Sequence, residues 1–243
     1  MKQKSSALYD PMSNNSICIN GQLLLLDLVE HIEPYCELIQ NNTDGIIVKL
    51  KDYEHDFDIL DDIVYEWEQR TGMKMDFDTF IGTIYQKDVN NYLLIDRQTG
   101  AIKAKGGYVM KLNDLSYDLP IINKALVDYM IKGIPVEKTI LECQELREFQ
   151  LVSRISSKYT HILYGNTPIK EKCIRIFASK NPSDPGVKKV HATRKTTAKL
   201  TNSPLHCFIF NEDVKGVPVP DKLDRQWYID FANKRLSDFG VVK

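Results

Sequence analysis

A four-residue turn, Asn42-Thr43-Asp44-Gly45, separates two apolar runs and constrains the fold more than any other segment. Cys36-Glu37-Leu38-Ile39-Gln40 precedes it and Ile46-Ile47-Val48-Lys49-Leu50 follows it. Two short β-prone runs joined through Asn, Asp and Gly read as a β-hairpin over 37–51, with a carboxylate exposed at its tip. A rigid tip is a good place to hold an anionic metal ligand, as phosphoryl transfer on nucleic acids requires. The competing reading is an ordinary surface turn, since all four residue types are common in turns.

The pattern on either side predicts helices around this hairpin. Asn20 reads as an N-cap, with a largely buried helix over 21–33 that stops at Pro34, and residues 1–16 read as a loop with a turn at Asp10-Pro11. Over 56–70, Leu60, Ile63, Val64 and Trp67 recur at helical spacing, and the opposite face carries Asp58, Asp61, Asp62 and Glu66. Such acidic faces are usually solvated, and Asp56, Asp58, Asp61 and Asp62 lack the glycine and glutamate positions of a calcium loop.

Residues 84–109 read as two strands. Tyr92-Leu93-Leu94-Ile95 leads into a turn at 96–100, and Ile102-Lys103-Ala104-Lys105 alternates so that both lysines share one face. Gly106-Gly107 follows, where another backbone can approach closely. Paired lysines beside glycines suit a phosphate backbone, although a lysine-protected edge strand reads the same way. Helices are expected over 120–132, with Pro120 at the start, and over 136–149, buried through Val136, Ile140, Cys143, Leu146 and Phe149. Residues 160–210 read as short strands and basic loops that include Lys188, Lys189, Arg194, Lys195 and Lys199, and a last helix covers about 224–239.

Charge is uneven along the chain. Residues 151–243 hold 17 Lys and Arg against 8 Asp and Glu, whereas residues 1–150 hold 15 against 25. A basic segment following an acidic one fits a polyanion-binding part joined to a metal-binding part, or simply a solvated basic surface. The five cysteines are widely spaced with no Cys-x-x-Cys pair, which argues against zinc and disulfide frameworks and suits a reducing compartment. No apolar run approaches the roughly 18–20 residues of a membrane helix, and Met1 to Ser6 has no apolar stretch behind its lysines. A cytoplasmic protein without a membrane partner is expected.

In order along the chain, several segments resemble B-family DNA polymerases of the tailed-bacteriophage type. Ile19-Asn20-Gly21-Gln22-Leu23 and its leucine-rich continuation resemble the palm helix before the third polymerase motif. Asn42-Thr43-Asp44-Gly45 resembles that motif, usually Asp-Thr-Asp-Ser. Lys87-Asp88-Val89-Asn90-Asn91-Tyr92 is similar to the family's Lys-x-Tyr element, and Ile102-Lys103-Ala104-Lys105-Gly106 to the strand after it. Lys132-Gly133-Ile134-Pro135-Val136-Glu137 resembles an early thumb segment, and Leu223-Asp224-Arg225-Gln226-Trp227-Tyr228-Ile229-Asp230 a closing helix.

The resemblance covers nearly the whole chain. It implies an α+β fold: residues 1–117 as the C-terminal part of a palm, an antiparallel sheet backed by helices, and residues 118–243 as a mainly helical thumb. It implies a DNA-directed DNA polymerase, a nucleotidyltransferase using two Mg2+ ions, with Asp44 as the catalytic metal ligand supplied by this chain. Asn42 stands where the family has Asp, and as a neutral amide it belongs with Thr43 to the support of the turn. Gly45 replaces Ser. Asn90 occupies the lysine position of Lys-x-Tyr, so Lys87, Lys103 or Lys105 would supply the positive charge. The residues expected along the primer strand are Lys87, Asn90, Asn91, Tyr92, Lys103, Lys105 and Gly106.

Three family parts have no counterpart in the sequence: an exonuclease domain, the motif bearing the first catalytic Asp, and the helix with Lys and Asn-Ser-x-Tyr-Gly that binds deoxynucleotide triphosphate. The chain is therefore expected to act with a complementary polymerase fragment on primer–template DNA, in a host cytoplasm if phage-encoded, and to be inactive alone. The alternatives are a stand-alone duplex-DNA-binding module, a non-functional remnant, and an unrelated metal enzyme built on the acidic clusters at 56–62 and 76–78.

Overall fold

The computed structural model describes residues 9–42, 45–109 and 118–241. The fold is α+β, with antiparallel sheets and five α-helices among these residues. The chain divides into two compact units, Met1–Thr79 and Phe80–Lys243.

In the first unit, helix α1 spans Pro11–Ile32, so it begins well before the expected start at 21. Asp10-Pro11 is a cap followed by a first-turn proline, and not a free turn. The Asp10 carboxylate accepts the Ser13 amide at 3.0 Å, and proline at this position gives up an amide that a helix start leaves unbonded anyway. The Ser13 hydroxyl and amide hold the Asp10 carboxyl below its usual range. Asn20 is therefore an interior helical residue and caps nothing.

Strands β1 (Cys36–Asn41) and β2 (Ile46–Leu50) form the expected hairpin, with Asn41 opposite Ile46 and Cys36 opposite Leu50 and an irregularity between Leu38 and Gln40. Helix α2 (Tyr53–Thr71) is capped by Asp52 and ends at Gly72, whose φ of +71° is the left-handed conformation that terminates many helices. Leu28, Ile32 and Cys36 pack with Leu60, Val64 and Trp67 into the core of this unit. The Trp67 indole donates to the Leu24 carbonyl at 3.1 Å, and Arg70 pairs with Asp27 at 2.6 Å, so α1 and α2 are tied at both apolar and polar levels.

The second unit opens with three strands where two are expected: β3 (Phe80–Asp88), β4 (Asn91–Asp96) and β5 (Ile102–Lys105), in the order β3-β4-β5. The first part of β3 is mostly exposed and bulged between Ile81 and Tyr85, so it lacks the alternation that announces a strand. Helix α3 follows at Pro120–Lys132, with the expected bounds.

Helix α4 covers only Val136–Glu142, and a short 3-10 turn occupies Leu146–Phe149, so the expected helix over 136–149 is broken. The Arg225 guanidinium donates to the carbonyls of Ile140 and of Cys143, the latter at 2.8 Å. A side chain from a distant helix thus takes the acceptors that a continued helix would have used. Strands β6 (Leu151–Arg154), β7 (Tyr159–Tyr164), β8 (Thr167–Ile169), β9 (Cys173–Ala178), β10 (Val187–His191), β11 (Thr197–Lys199) and β12 (Cys207–Ile209) form two sheets, β12-β9-β6 and β11-β10-β7-β8. Helix α5 (Arg225–Asp238) closes the unit. The helical character expected of 118–243 thus lies at its two ends, around a β-rich middle.

Tyr228 of α5 sits fully buried at the centre of this unit, edge-on to Phe149 at 5.0 Å. Its hydroxyl donates to the Phe149 carbonyl at 2.8 Å and accepts the Ala178 amide at 3.1 Å. Leu93 of β4 and Val109 belong to the same core as α3 and α5. Packing therefore assigns β3–β5 to the unit of the C-terminal helices, and its boundary at Thr79/Phe80 differs from the expected segment boundary at 117/118.

Candidate functional site

The predicted site residues fall on two structures, one in each unit. In the first, the Asn42 amide donates to the Gly45 carbonyl at 2.8 Å, one residue beyond the last strand pair Asn41–Ile46, so the hairpin closes directly at its tip. Thr43 and Asp44, the expected support and metal ligand, lie outside the described residues. Lys49 and Glu37 face each other across the strands at 3.3 Å, both largely exposed.

In the second unit, the β3–β4 turn and the end of β5 bring together Lys87, Asn90, Asn91, Tyr92, Lys105 and Gly106. Their organiser is Asp88, which the sequence reading passed over as a site residue. Its carboxylate accepts the Asn90 amide at 2.9 Å, Asn91 Nδ2 at 2.9 and 3.1 Å, and the Lys87 ammonium at 2.7 Å. Lys87, then Asn91 and the Asn90 amide, hold the Asp88 carboxyl down to about 2. The same contact raises the Lys87 ammonium above its ordinary value. The signal was available in the sequence: Asp followed two residues later by Asn in a turn is the pattern of an Asx-turn, in which the carboxylate holds the backbone amide two residues on.

Gly106 completes this corner. Its φ is +93°, and a Cβ built there would run into the backbone oxygen of Asn90 and the side-chain oxygen of Asn91. Close backbone approach at glycine is the reading made from the sequence, and the partner is the β3–β4 turn of the chain itself. Lys87 also lies 5.1 Å from the centre of the Tyr108 ring.

Strand register places the basic residues. Tyr92 is opposite Lys105 and Leu94 opposite Lys103, while Leu93 opposite Ala104 lies on the other, core-facing side. Lys103 and Lys105 therefore do share the outer face, and both are exposed. The Lys105 ammonium sits 5.6 Å from the Tyr92 ring centre and the Lys103 ammonium 5.3 Å from that of Phe80. Each cation on this face thus lies beside an aromatic ring, with buried Leu94 between the two pairs, and a cation beside a ring is suited to phosphates and sugar or base faces. Asn91 is turned onto Asp88, so its amide braces the turn; Asn90 is the exposed member of the pair.

The acidic clusters do not assemble. Asp56 accepts the Asp52 amide at 2.9 Å and meets His55 at 3.1 Å, serving the start of α2, while Asp58, Asp61 and Asp62 are exposed along that helix. Among the described residues no three His, Cys, Asp or Glu side chains gather in an arrangement that could hold a metal ion. An open depression of about 640 Å3 in the first unit, lined by His31, Tyr35, Tyr65, Trp67 and Arg70 among others, includes none of the predicted residues. All five cysteines are free thiols. Among the described residues no helix is long and apolar enough to cross a membrane. Comparison with protein-family models gives no match, and comparison with curated proteins gives none either.

Proposed function

We propose that this chain is the C-terminal palm and thumb portion of a B-family DNA-directed DNA polymerase of tailed-phage type. The observation that carries the reading is the β3–β5 corner: the segments that resemble the Lys-x-Tyr element and the strand after it pair so that Tyr92 stands opposite Lys105. The hairpin closing at Asn42 and Gly45 supports it as well.

On this reading Lys103, Lys105 and Asn90 contact the primer strand through phosphates and sugars, Tyr92 backs them, and Asp88 with Gly106 holds the corner in shape. Lys87 acts through Asp88, since its charge is already balanced there. Asp44 is the carboxylate this chain offers to Mg2+. Bound magnesium in such a site activates the primer 3′-hydroxyl and stabilises the leaving pyrophosphate. One carboxylate does not position two ions, so these residues contribute half of the metal site. The first catalytic Asp and the deoxynucleotide-triphosphate-binding helix come from a complementary fragment, and the assembly works in the cytoplasm.

The test is primer extension. This chain would be co-expressed with a fragment carrying the first catalytic Asp and the nucleotide-binding helix, such as one encoded just upstream, and assayed with Mg2+ on primer–template DNA. Activity is expected only from the pair, and Asp44→Ala abolishes it while leaving DNA binding in place. Extension by this chain alone, or by the pair with Asp44→Ala, would overturn the proposal. DNA binding with no extension under any pairing would leave a duplex-binding module.

A further inference from the structure

Helix α1 is apolar on two sides. Leu25, Leu28, Val29 and Ile32 are buried, and Leu28 and Ile32 share a core with Leu60, Val64 and Trp67 of α2. About 140° around the helix, at roughly 100° per residue, lie Met12, Ile19, Leu23 and Leu26. These four are exposed to 75%, 55%, 56% and 48%. A helix that packs on one side only is expected to turn charged and polar side chains to water. Here residues 11–26 carry no Asp, Glu, Lys, Arg or His, and α1 as a whole has no Lys or Arg.

The chemistry of this face excludes the partners that charge would recruit. A polyanion is held by Lys and Arg, and a helix that lies on an anionic lipid surface carries them on its polar side. The stripe is flanked instead by exposed, neutral Asn15, Ser16, Asn20 and Gln22. Such depletion of charge is the mark of the buried centre of a protein interface.

The spacing of the stripe fits a helix of the same kind. Met12, Ile19 and Leu26 recur every seven residues, with Leu23 between the last two. A seven-residue repeat is the seam of a helix that packs lengthwise on another with the same repeat. A second copy of α1 supplies that repeat, and two faces without charge over 11–26 meet without like-charge repulsion. Exposed Glu30 continues the stripe, so a parallel pairing would set two Glu30 carboxylates against each other. An antiparallel pairing about Ile19 keeps them at opposite ends. It also sets Met12 of each copy against Leu26 of the other, because both lie seven residues from Ile19. The four side chains expose about 400 Å2 per copy, roughly half of what each partner buries in a standard interface, so the dimer is weak and depends on concentration.

We propose that the solvent-facing stripe of α1 is an interface with a second copy of this chain, the two α1 helices running antiparallel across a two-fold axis at Ile19. The pairing covers Met12, Ile19, Leu23 and Leu26 and leaves the side of the helix that packs on α2 in place. It uses no charge, so added salt does not dissolve it. The inference does not rest on the polymerase reading, and its residues are separate from the hairpin tip and the β3–β5 corner.

The test is sedimentation equilibrium of the full chain from about 2 to about 200 µM, a range that suits an interface of this size. The mass is expected to rise with concentration from 28.0 kDa toward twice that value. It should do so alike in about 0.1 M and about 1 M NaCl, which screen charge over about 10 Å and 3 Å. Met12→Glu with Leu26→Glu sets carboxylates against each other across the seam and should weaken the dimer by more than about tenfold. Met12→Glu with Leu26→Lys should bind about tenfold tighter than that variant, because antiparallel helices set the new carboxylate against the new ammonium. Ile17→Glu, exposed on the same helix but off the stripe, keeps the wild-type curve. Trp67 fluorescence in urea, in a Trp227→Phe background, checks that each variant keeps the fold of the first unit. A mass of 28.0 kDa throughout, a double-glutamate variant that still dimerises, or a glutamate–lysine variant no tighter than it would overturn the proposal. A chain that dimerises only after residues 1–8 are deleted would give the stripe to its own N-terminal segment, and one that pairs only with a complementary polymerase fragment would give it to that fragment; both outcomes overturn the proposal. Primer extension with Asp44→Ala reports on the polymerase reading separately.

Discussion

Gly106→Ala isolates the physical demand made by the β3–β5 corner. At φ +93° a side chain is strained whatever the space around it, and such a conformation costs on the order of 1–3 kcal/mol. The new Cβ also meets the Asn90 backbone oxygen, which cannot rotate aside as the end of a flexible side chain could. The loss should therefore lie in the upper part of that range, about 2–3 kcal/mol. Gly107→Ala is the internal control. No atom lies within 4 Å of its would-be Cβ and its φ is not in the left-handed region, so it should change stability by less than about 0.5 kcal/mol.

The chain has two tryptophans, Trp67 in the first unit and Trp227 in the second, so a Trp67→Phe background reports on the second unit alone. In urea, with a slope of about 2–3 kcal/mol per molar, the Gly106→Ala midpoint should fall by about 1 M and that of Gly107→Ala should stay in place. Equal midpoints for the two variants would refute the reasoning, because they would mean that neither the backbone conformation nor the contact with Asn90 constrains this corner. DNA binding by the same variants extends the test: on the polymerase reading Gly106→Ala weakens binding at Lys103 and Lys105 without removing a charge.

Two further outcomes follow from the same geometry. The Asp88 carboxyl is held down to about 2 from an ordinary 3.8, so the stabilisation it provides is complete above about pH 4 and is lost as pH falls through about 2. Carboxyl NMR titration should show that low midpoint, and Asn91→Ala should move it upward; an Asp88 midpoint near 3.8 in the wild type would remove the carboxylate from its place as organiser. Gly21 lies inside α1 with open space around its would-be Cβ, so Gly21→Ala should stabilise the first unit by about 0.5–1 kcal/mol, read from Trp67 unfolding in a Trp227→Phe background.

Elements whose signals are local were legible in the residues themselves. Pro120 and the apolar stripe from Ile121 to Met130 define α3 to the residue. The turn types at 42–45 set the hairpin, and alternation in Ile102–Lys105 put both lysines on one face. Asp10-Pro11 is written identically in a turn and in a capped helix start; in the structure the Asp10 carboxylate accepts the Ser13 amide, while the α1 residues that pack with Trp67 lie in the second half of the helix, from Leu24 to Ile32. The run from 136 to 149 has helical periodicity throughout, yet Arg225, more than 80 residues away, takes the carbonyls where it breaks.

The residues by themselves therefore determined the bounds of α3, the position of the hairpin tip, and the identity of the cationic residues on β5. These rest on patterns that repeat every two or every 3.6 residues and need no distant partner. Only the tertiary structure decided that β3–β5 share a core with the C-terminal helices, that Asp88 organises its corner, and that Lys188 faces Lys199. Each of those depends on strand register or on packing between segments far apart in the chain, where a shift of one residue would have turned the same side chains to the opposite face.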